Sequence, residues 1–299
     1  RRCSNEGTPF LIKYPREVKV ALLRRNVHWL AKAMKRRAKA IRIEYERGDA
    51  KSERQTSSSS ELKRTENSAK DDDEIPLWER HLERLQQMRE TSDAPVDTMG
   101  CHMLGDVLAS PQVYRFQILV SLMLSSQTKD QVTAAAMQRL RSRGCTIESI
   151  IGMSELELQD LLIPVGFYKR KAVYLKKVAD ILSSKYGGDI PNTVEDLCSL
   201  PGVGPKMAHL AMQHAWDRIE GLAVDTHVHR IANRLGWVKT KTPEQTRVAL
   251  EVLIPKERWA GLNKLLVGFG QQTCLPTLPK CSDCLNKDIC PAIGVHKKR

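Results

Sequence analysis

The chain has 299 residues, of which 41% are hydrophobic, so it is long enough to bury a substantial core in one or two domains. Its formal net charge of +13 predicts a polyanionic partner, with nucleic acid as the first candidate and an acidic membrane surface as the second. Its apolar stretches are shorter than the roughly 18 residues of a membrane span, and an aromatic content of 5% argues against a base-stacking platform for single strands.

Residues 1–75 have the composition of a basic, largely disordered extension. Residues 1–50 carry a net charge of +9, and Gln55–Ser60 followed by Asp71–Glu74 is polar and low in apolar residues, which is typical of a disordered linker. A basic cluster fits nuclear import or nonspecific phosphate contact, and a solvated helix face explains it equally well. The cluster consists of Lys35, Arg36, Arg37 and Lys39. We expect the folded core to begin near Ile75.

From residue 76 onward the hydrophobic pattern has the period of an α-helix. Residues 113–127 are apolar over a length that exceeds a typical strand and indicates a buried helix. Residues 167–186 place apolar side chains on one helical face and end at Gly187 and Gly188, a common helix stop. Convincing period-two segments flanked by hairpin turns are missing, so the sequence predicts an all-α fold. Capping-box helix starts are indicated at Ser154 with Glu157 and at Thr242-Pro243 with Gln245.

A glycine-rich turn lies between two predicted helices, residues 193–199 and 205–216. Its sequence, Leu200–Lys206, is LPGVGPK. Two glycines one residue apart make a tight turn at a helix start, where backbone N–H groups and the helix dipole favour an anion. The pattern is typical of a helix–hairpin–helix that grips one DNA phosphate without reading sequence. The backbone groups expected to make this contact are those of Gly202, Val203 and Gly204.

Lys206 directly follows this turn, so its amine would lie close to a bound sugar–phosphate. Most lysines near phosphates act as point charges, which favours a second phosphate contact. The alternative is a nucleophile, which reacts as the neutral amine; a helix N-terminus, nearby cations and desolvation all favour that form. The residues alone leave both interpretations open.

The segment Val224–Arg230, VDTHVHR, begins another predicted helix. Asp225 is a good N-cap, and a carboxylate near a cationic lysine could also stabilise positive charge on a sugar. His227 and His229 are two residues apart and so lie on different sides of a helix, which argues against a shared metal site. We interpret both histidines as structural or phosphate-facing.

Half of the eight cysteines fall near the end of the chain with the spacing C-x6-C-x2-C-x5-C. Iron–sulfur clusters and structural zinc both take four cysteine thiolates held by short loops. The first gap is wider than is usual for a zinc knuckle, and disulfides are disfavoured. The spacing predicts metal or cluster ligation and leaves iron–sulfur and zinc open. The four residues are Cys274, Cys281, Cys284 and Cys290.

These motifs together resemble the endonuclease III family of DNA glycosylases in its eukaryotic branch. The resemblance runs from about Pro95 to Pro291. It is carried by Leu124–Asp130 (LSSQTKD), Leu200–Lys206, Val224–Arg230 and the four-cysteine loop.

The resemblance implies two helical domains that flank a DNA cleft. Residues 111–225 would form a helical barrel with the helix–hairpin–helix. Residues 76–110 and 226–299 would form a terminal domain, whose cysteines resemble ligands of a [4Fe–4S] cluster rather than of zinc. We expect the cluster to shape the loop so that Lys280 and Lys287 meet backbone phosphates.

The resemblance also implies a chemistry. Lys206 occupies the position of the family's catalytic nucleophile and Asp225 that of its essential carboxylate. The expected reaction is removal of an oxidised pyrimidine, such as thymine glycol, followed by β-elimination through a Schiff base. The damaged nucleotide must first be flipped out of the duplex. Gln127 matches the residue that fills the vacated space; Phe167 falls where relatives place an apolar wedge, with core packing as the alternative.

Two other functions are compatible with parts of this pattern. An adenine- or mismatch-specific monofunctional glycosylase of the same superfamily is the nearest, although such relatives lack a lysine at the position of Lys206. A noncatalytic DNA-binding protein is the other, and it would need no pairing of Lys206 with Asp225. We expect a monomer that acts on double-stranded DNA containing oxidised pyrimidines or abasic sites and has no membrane partner. The expected compartment is the nucleus, with the mitochondrion as a second.

Overall fold

The computed structural model describes residues 75–295, and within this range the fold is built from helices and loops without a β-strand. The predicted all-α fold is confirmed. The expected extension, with its basic cluster, lies outside the described residues apart from Ile75. The α-helices are α1 (Leu77–Met88), α2 (Pro95–Met99), α3 (Pro111–Ser125), α4 (Asp130–Arg143), α5 (Ile147–Gly152), α6 (Glu155–Leu162), α7 (Tyr168–Lys185), α8 (Val194–Ser199), α9 (Pro205–Ala215), α10 (Thr226–Arg234), α11 (Pro243–Leu253) and α12 (Leu262–Gln272); 3₁₀ turns cover Cys101–Met103, Lys256–Arg258 and Cys281–Asp283.

The larger hydrophobic core is built from helices α3 to α9 around α3. All nine residues 116–124 of α3 are buried, so this part of the helix has no solvent face, as the apolar run 113–127 predicts. α3 packs most extensively against α9, the helix that begins with Pro205 and Lys206. The central helix therefore fixes the position of the glycine-rich turn that precedes α9.

A smaller core joins α1 to the C-terminal helices α10, α11 and α12. Leu222 and Val224 belong to this core, whereas Ala223 between them packs in the larger one. Leu82 and Leu85 bring α1 into the same smaller core, although about 140 residues separate them from α10 in sequence. The predicted domain boundaries at residues 110/111 and 225/226 stay a prediction.

The helix ends follow local sequence signals. Ser154 accepts the N–H of Glu157 at 3.1 Å, and Thr242 accepts that of Gln245 at 3.2 Å, so both predicted caps are present. Neither start is a full capping box, because the side chain of Glu157 accepts from Arg143 at 2.8 Å and that of Gln245 accepts from Lys241 at 2.9 Å rather than from the cap residue. α7 ends at Lys185, just before the two predicted glycines. Among the described helices, none has both the length and the apolar character needed to cross a lipid bilayer.

Candidate active site

A cleft of about 890 Å³ opens where the N-termini of α9 and α10 come together. Its wall includes the loop between α3 and α4, the first turns of α9 and α10, and one side of α12. The cleft residues predicted to act on a substrate are Gln127, Lys206, Asp225 and His227. The fold therefore gathers side chains from motifs that lie about a hundred residues apart in the sequence.

The ammonium nitrogen of Lys206 lies 3.7 Å from Oδ2 of Asp225 across this cleft. The lysine side chain is 39% exposed and the carboxylate 12% exposed, so a ligand in the cleft can reach the amine while the carboxylate stays largely shielded. Asp225 also caps α10, because Oδ1 accepts the N–H of Val228 at 2.8 Å. The two oxygens of the Asp225 carboxylate thus make different contacts: one caps α10 and the other faces Lys206.

The glycine-rich turn directly precedes Lys206, which lines the cleft. Gly202 has a φ of +83°, and a Cβ there would lie 2.6 Å from the ring of Tyr174, so the turn requires a glycine. The N–H of Val203 donates to Leu200 at 3.1 Å, and the Val203 side chain is buried in the larger core. The N–H of Val203 is therefore engaged inside the turn, which leaves Gly202 and Gly204 as the better candidates for a phosphate contact.

Gln127 and Phe167 project from two adjoining loops. Both have positive φ angles, +51° for Gln127 and +56° for Phe167. Gln127 is exposed at the edge of the cleft, and Phe167 is 65% exposed at the N-terminus of α7. The core-packing alternative for Phe167 is wrong, since an apolar side chain held outside the core in a left-handed backbone conformation does not contribute to packing.

The two histidines of the α10 motif face in different directions, as their spacing predicts. His227 lines the cleft, and Arg230 donates to its Nδ1 at 3.2 Å. Nδ1 of His229 lies 2.6 Å from the hydroxyl of Thr246 on α11, away from the cleft. Burial lowers the pKa of His227, and the carboxylate of Asp225 opposes that shift. His229 is structural, and only His227 is placed where a substrate could meet it.

The four cysteines of the C-terminal loop lie together beside the smaller core. Cys274, Cys284 and Cys290 pack against that core, and Cys281 is exposed. Burial raises the pKa of Cys284 and of Cys290, and neighbouring thiols of the same set raise both further. Within residues 75–295, no three His, Cys, Asp or Glu side chains are arranged as a closed metal-binding group. The sulfurs are neighbours but do not form a closed cage.

The chemistry around these sulfurs fits a thiolate-bound cluster. Arg234 donates to the sulfur of Cys274 at 3.5 Å, and the N–H of Ala292 donates to that of Cys290 at 3.4 Å. Such donors stabilise negative charge on cluster sulfurs. Four soft ligands from one loop suit an iron–sulfur centre, so the residues present fit the group.

The same loop is held by arginines from two helices, α1 and α10. Arg84 of α1 donates to the carbonyl of Leu285 at 2.8 Å and pairs with Asp288 at 2.5 Å. Arg234 donates to the carbonyls of Leu275 and Pro276 at 2.6 and 2.8 Å. Lys280 and Lys287 remain exposed on this loop. The backbone that carries these two cations is therefore anchored on both sides.

Sequence reasoning missed several polar residues of the cleft. Gln271 of α12 donates to Asp130 at 2.7 Å and accepts the N–H of Val96 at 3.1 Å, which joins three elements in the wall of the cleft. His102 and His214 stack with ring centroids 5.2 Å apart, and burial lowers the pKa of His214 to about 4. Asp130 lies inside the LSSQTKD motif and could have been found there. The other residues carry no local signal, because only the fold brings them to the cleft.

Comparison with known proteins agrees with this geometry. A family model described as HhH-GPD superfamily base excision DNA repair protein matches residues 120–256. The chain is 61% identical over 216 residues to Endonuclease III-like protein 1 of Gallus gallus, covering 72% of this chain and 77% of that protein. It is 58% identical over 217 residues to the Bos taurus protein of the same name, covering 72% and 71%.

A solved structure has the same fold. It is described as a trapped endonuclease III–DNA covalent intermediate in an estranged-adenine complex. The match has a TM-score of 0.63 with 26% sequence identity and covers 73% of this chain and 97% of that one.

The hairpin between α8 and α9, with the cleft beside it, is the arrangement of a helix–hairpin–helix DNA glycosylase of base excision repair. Within that superfamily the chain belongs to the endonuclease III family, in its eukaryotic branch. The family resemblance inferred from the motifs is confirmed. The family binds a [4Fe–4S] cluster.

Proposed function

We propose that this glycosylase removes oxidised pyrimidines from duplex DNA and then cleaves the abasic site as a lyase. The observation that carries the proposal is the 3.7 Å approach of the Lys206 amine to the Asp225 carboxylate inside the cleft. A monofunctional glycosylase activates water and needs no amine at this place. A primary amine beside a shielded carboxylate is the pair that covalent attack on a sugar requires.

The proposed reaction begins at C1′ of the damaged nucleotide. The neutral amine of Lys206 forms a bond to C1′ as the glycosidic bond breaks, and the base leaves with the bonding electrons and takes up a proton. The sugar ring then opens to a protonated imine, with the ring oxygen becoming a hydroxyl. Asp225 stabilises the positive charge that develops at C1′ and accepts the proton that the amine gives up.

Strand cleavage follows from the same imine. Loss of a proton from C2′ pushes electrons toward the imine carbon, and the bond from C3′ to the 3′ phosphate oxygen breaks. The phosphate leaves with that electron pair. The amine acts as the nucleophile in base removal, and the protonated imine formed from it acts as the electron sink in the elimination, so glycosylase and lyase activity share Lys206.

The nucleotide has to leave the base stack before Lys206 can reach C1′. Gln127 is exposed at the edge of the cleft and would fill the space that the nucleotide vacates, and the exposed Phe167 would wedge the neighbouring base pair apart. Oxidised pyrimidines that have lost planarity stack poorly and are the easiest to extrude. This supports oxidised pyrimidines as the preferred substrate.

We further propose that the DNA backbone is held at three places. The N–H groups of Gly202 and Gly204 would bind one phosphate at the start of α9, and His227 would face the strand inside the cleft. Lys280 and Lys287, exposed on the cysteine loop, would meet phosphates further along. All of these contacts are independent of base sequence, as suits an enzyme that searches for damage.

Cys274, Cys281, Cys284 and Cys290 would hold the [4Fe–4S] cluster. The cluster, when bound, supplies a rigid cross-link for the loop and leaves no open iron position for hydrolytic chemistry. The donors from Arg234 and Ala292 at two of the sulfurs support this assignment.

We propose a monomer that works in the nucleus, and also in the mitochondrion; a fluorescent fusion of the full chain would test both compartments.

The test is covalent trapping. The protein is incubated with a duplex containing thymine glycol, borohydride is added to reduce the imine, and the crosslinked peptide is mapped by mass spectrometry. We expect the sugar remnant on Lys206 and no adduct with Lys206→Ala. Lys264→Ala is the matched control, because Lys264 lines the same cleft and pairs with Asp97 at 3.4 Å. An adduct on Lys264, or base release without any adduct, would overturn the proposal.

A further inference from the structure

The first turns of α7 support three substrate-facing segments at once. Phe167, Lys171 and Tyr174 recur four and three residues apart, which is helical spacing. Phe167 occupies the N-cap of the helix, and the ring of Tyr174 packs under Gly202 of the hairpin. Lys171 reaches the loop that carries Gln127. One helix thus sets the relative positions of the wedge, the gap-filling residue and the hairpin.

Lys171 is an unusual residue for such a support, because it is a charged side chain only 7% exposed. Its Nζ donates to the carbonyl of Leu124 at 2.7 Å, to that of Ser126 at 2.6 Å and to the hydroxyl of Thr128 at 3.2 Å. These three acceptors use the three donors of an ammonium group. Every acceptor belongs to the end of α3 or to the loop that follows it.

The positive charge of Lys171 is buried at the C-terminus of α3, where the electrostatic potential is negative. α3 ends at Ser125, so the carbonyls that Lys171 meets belong to its last turn and to its C-cap, where the helix leaves carbonyl oxygens unpaired. The negative end of the helix dipole favours a cation at that place. Burial lowers the pKa of Lys171 to about 8, so the ammonium form still predominates at neutral pH.

The hydroxyl of Thr128 connects this lysine to the second loop. The N–H of Gly166 donates to the Thr128 hydroxyl at 3.2 Å, next to the bond that the hydroxyl accepts from Lys171. A Cβ at Gly166 would lie 2.7 Å from the carbonyl oxygen of Gln127, so the two loops touch through their backbones. Gln127 and Phe167 each directly adjoin a residue of this contact.

We propose that Lys171 is a positioning residue that locks the Gln127 and Phe167 loops into one rigid unit for nucleotide extrusion. The inference rests on the proposed function, because it assumes that these two side chains enter the duplex. Both have left-handed backbone conformations that the isolated loops would not hold. The buried ammonium stabilises those conformations in the free enzyme. The two loops therefore lose their conformational entropy on folding rather than on DNA binding.

The locking function has a specific kinetic signature. Loss of Lys171 slows the step in which the base leaves the stack. It has less effect on the rate at which Lys206 attacks an abasic sugar. Because hydrogen bonds from a charged donor are lost, we expect base excision to slow by about tenfold or more. The effect should be smaller with an abasic-site duplex, where there is no base to unstack.

The experiment compares Lys171→Met, which keeps the length of the side chain and removes its charge, with Lys177→Met. Lys177 is an exposed lysine of the same helix, so this control removes the same charge without touching the loops. Single-turnover excision of thymine glycol is measured together with the fluorescence of a 2-aminopurine placed beside the lesion, which reports extrusion. Borohydride trapping on an abasic-site duplex is measured in parallel.

For Lys171→Met we expect slower extrusion and slower excision, with near-normal trapping on the abasic duplex. Lys171→Arg should restore part of the rate, because it keeps the buried charge, and Lys177→Met should behave like the parent protein. Gln127→Ala should slow excision by a smaller factor in the Lys171→Met background than in the parent protein, because Lys171 acts through Gln127. If Lys171 only stabilised the fold, the losses of excision rate in the double variant would be additive, and each loss would parallel the fall in the thermal midpoint of unfolding.

If Lys171→Met does not fold, Thr128→Val carries the test, because it removes only the hydroxyl that bridges Gly166 to Lys171; Thr128→Ser keeps that hydroxyl and is its control. Extrusion and excision at the parent rate in both Lys171→Met and Thr128→Val would overturn the inference alone. A parent protein that forms no adduct with the abasic duplex would instead overturn the proposed function, and the inference with it.

Discussion

Asp225 caps the helix that carries it and faces Lys206 with the same carboxylate. Oδ1 accepts the N–H of Val228 at 2.8 Å, and Oδ2 lies 3.7 Å from the lysine nitrogen. The cap holds Oδ1 at the start of α10, and in this orientation Oδ2 faces the lysine. The structural and the catalytic explanations of Asp225 are therefore linked: the cap positions the charge.

Asp225→Asn separates these two roles. Asparagine caps helices as well as aspartate does, so the thermal midpoint should stay close to that of the parent protein. The charge facing Lys206 is lost, and we expect base release to fall by roughly a hundredfold or more. Asp225→Ala should lose the same activity and, in addition, about 1 kcal/mol of unfolding free energy. Base release at the parent rate with Asp225→Asn would leave Asp225 as a cap only.

The cysteine loop can be tested by its iron content. Cys281→Ala removes an exposed sulfur that makes little contribution to packing, so its loss should act through the cluster rather than through the core. We expect the purified variant to lose most of its iron and its visible absorption, and to unfold more easily. Cys198→Ala, outside the loop, is the matched control and should keep both. Full iron content in Cys281→Ala would show that this residue is not a ligand.

Lys280 and Lys287 should act as phosphate contacts. Replacing both with alanine should weaken binding to every duplex sequence and reduce the slope of log affinity against log salt by about 2, because each phosphate contact contributes about 0.9. Binding is measured by fluorescence anisotropy over a salt series. A double variant of Lys177 and Lys256, two exposed lysines outside the cleft and the loop, controls for net charge. Equal slopes for the two double variants would contradict the assignment.

His81 should make the stability of the protein sensitive to mild acid. The side chain is fully buried; Trp237 donates to its Nδ1 at 3.0 Å, so Nε2 carries the proton and donates to the carbonyl of Ile289 at 3.3 Å. Burial is the main reason that the pKa of His81 is lowered. Below about pH 6.5 the unfolded chain binds a proton that the folded chain does not, so stability falls as pH falls.

The expected slope is at most about 1.4 kcal/mol of unfolding free energy for each pH unit. It is measured by urea unfolding at several pH values between about 7 and 5. His81→Gln cannot titrate, so its stability should change less over this range, although it is less stable overall. Parallel pH profiles for the two proteins would mean that His81 is not the group responsible.

Local features of this protein could be read from its sequence. Capping residues such as Ser154 and Thr242, the glycines after α7 and the apolar run of α3 act through neighbours a few residues away, and their predictions held. The four-cysteine spacing and the LSSQTKD and LPGVGPK motifs also carry their information within one short segment. Family membership followed from these motifs together.

Only the tertiary structure decided how distant segments meet. The approach of Lys206 to Asp225 and the exposure of Phe167 depend on how α3, α7, α9 and α10 pack. Lys171 gave no signal in the sequence, since a lysine on an amphipathic helix is usually solvated. Its burial under the end of α3 is a property of two packed helices, and side-chain periodicity within one helix does not contain it.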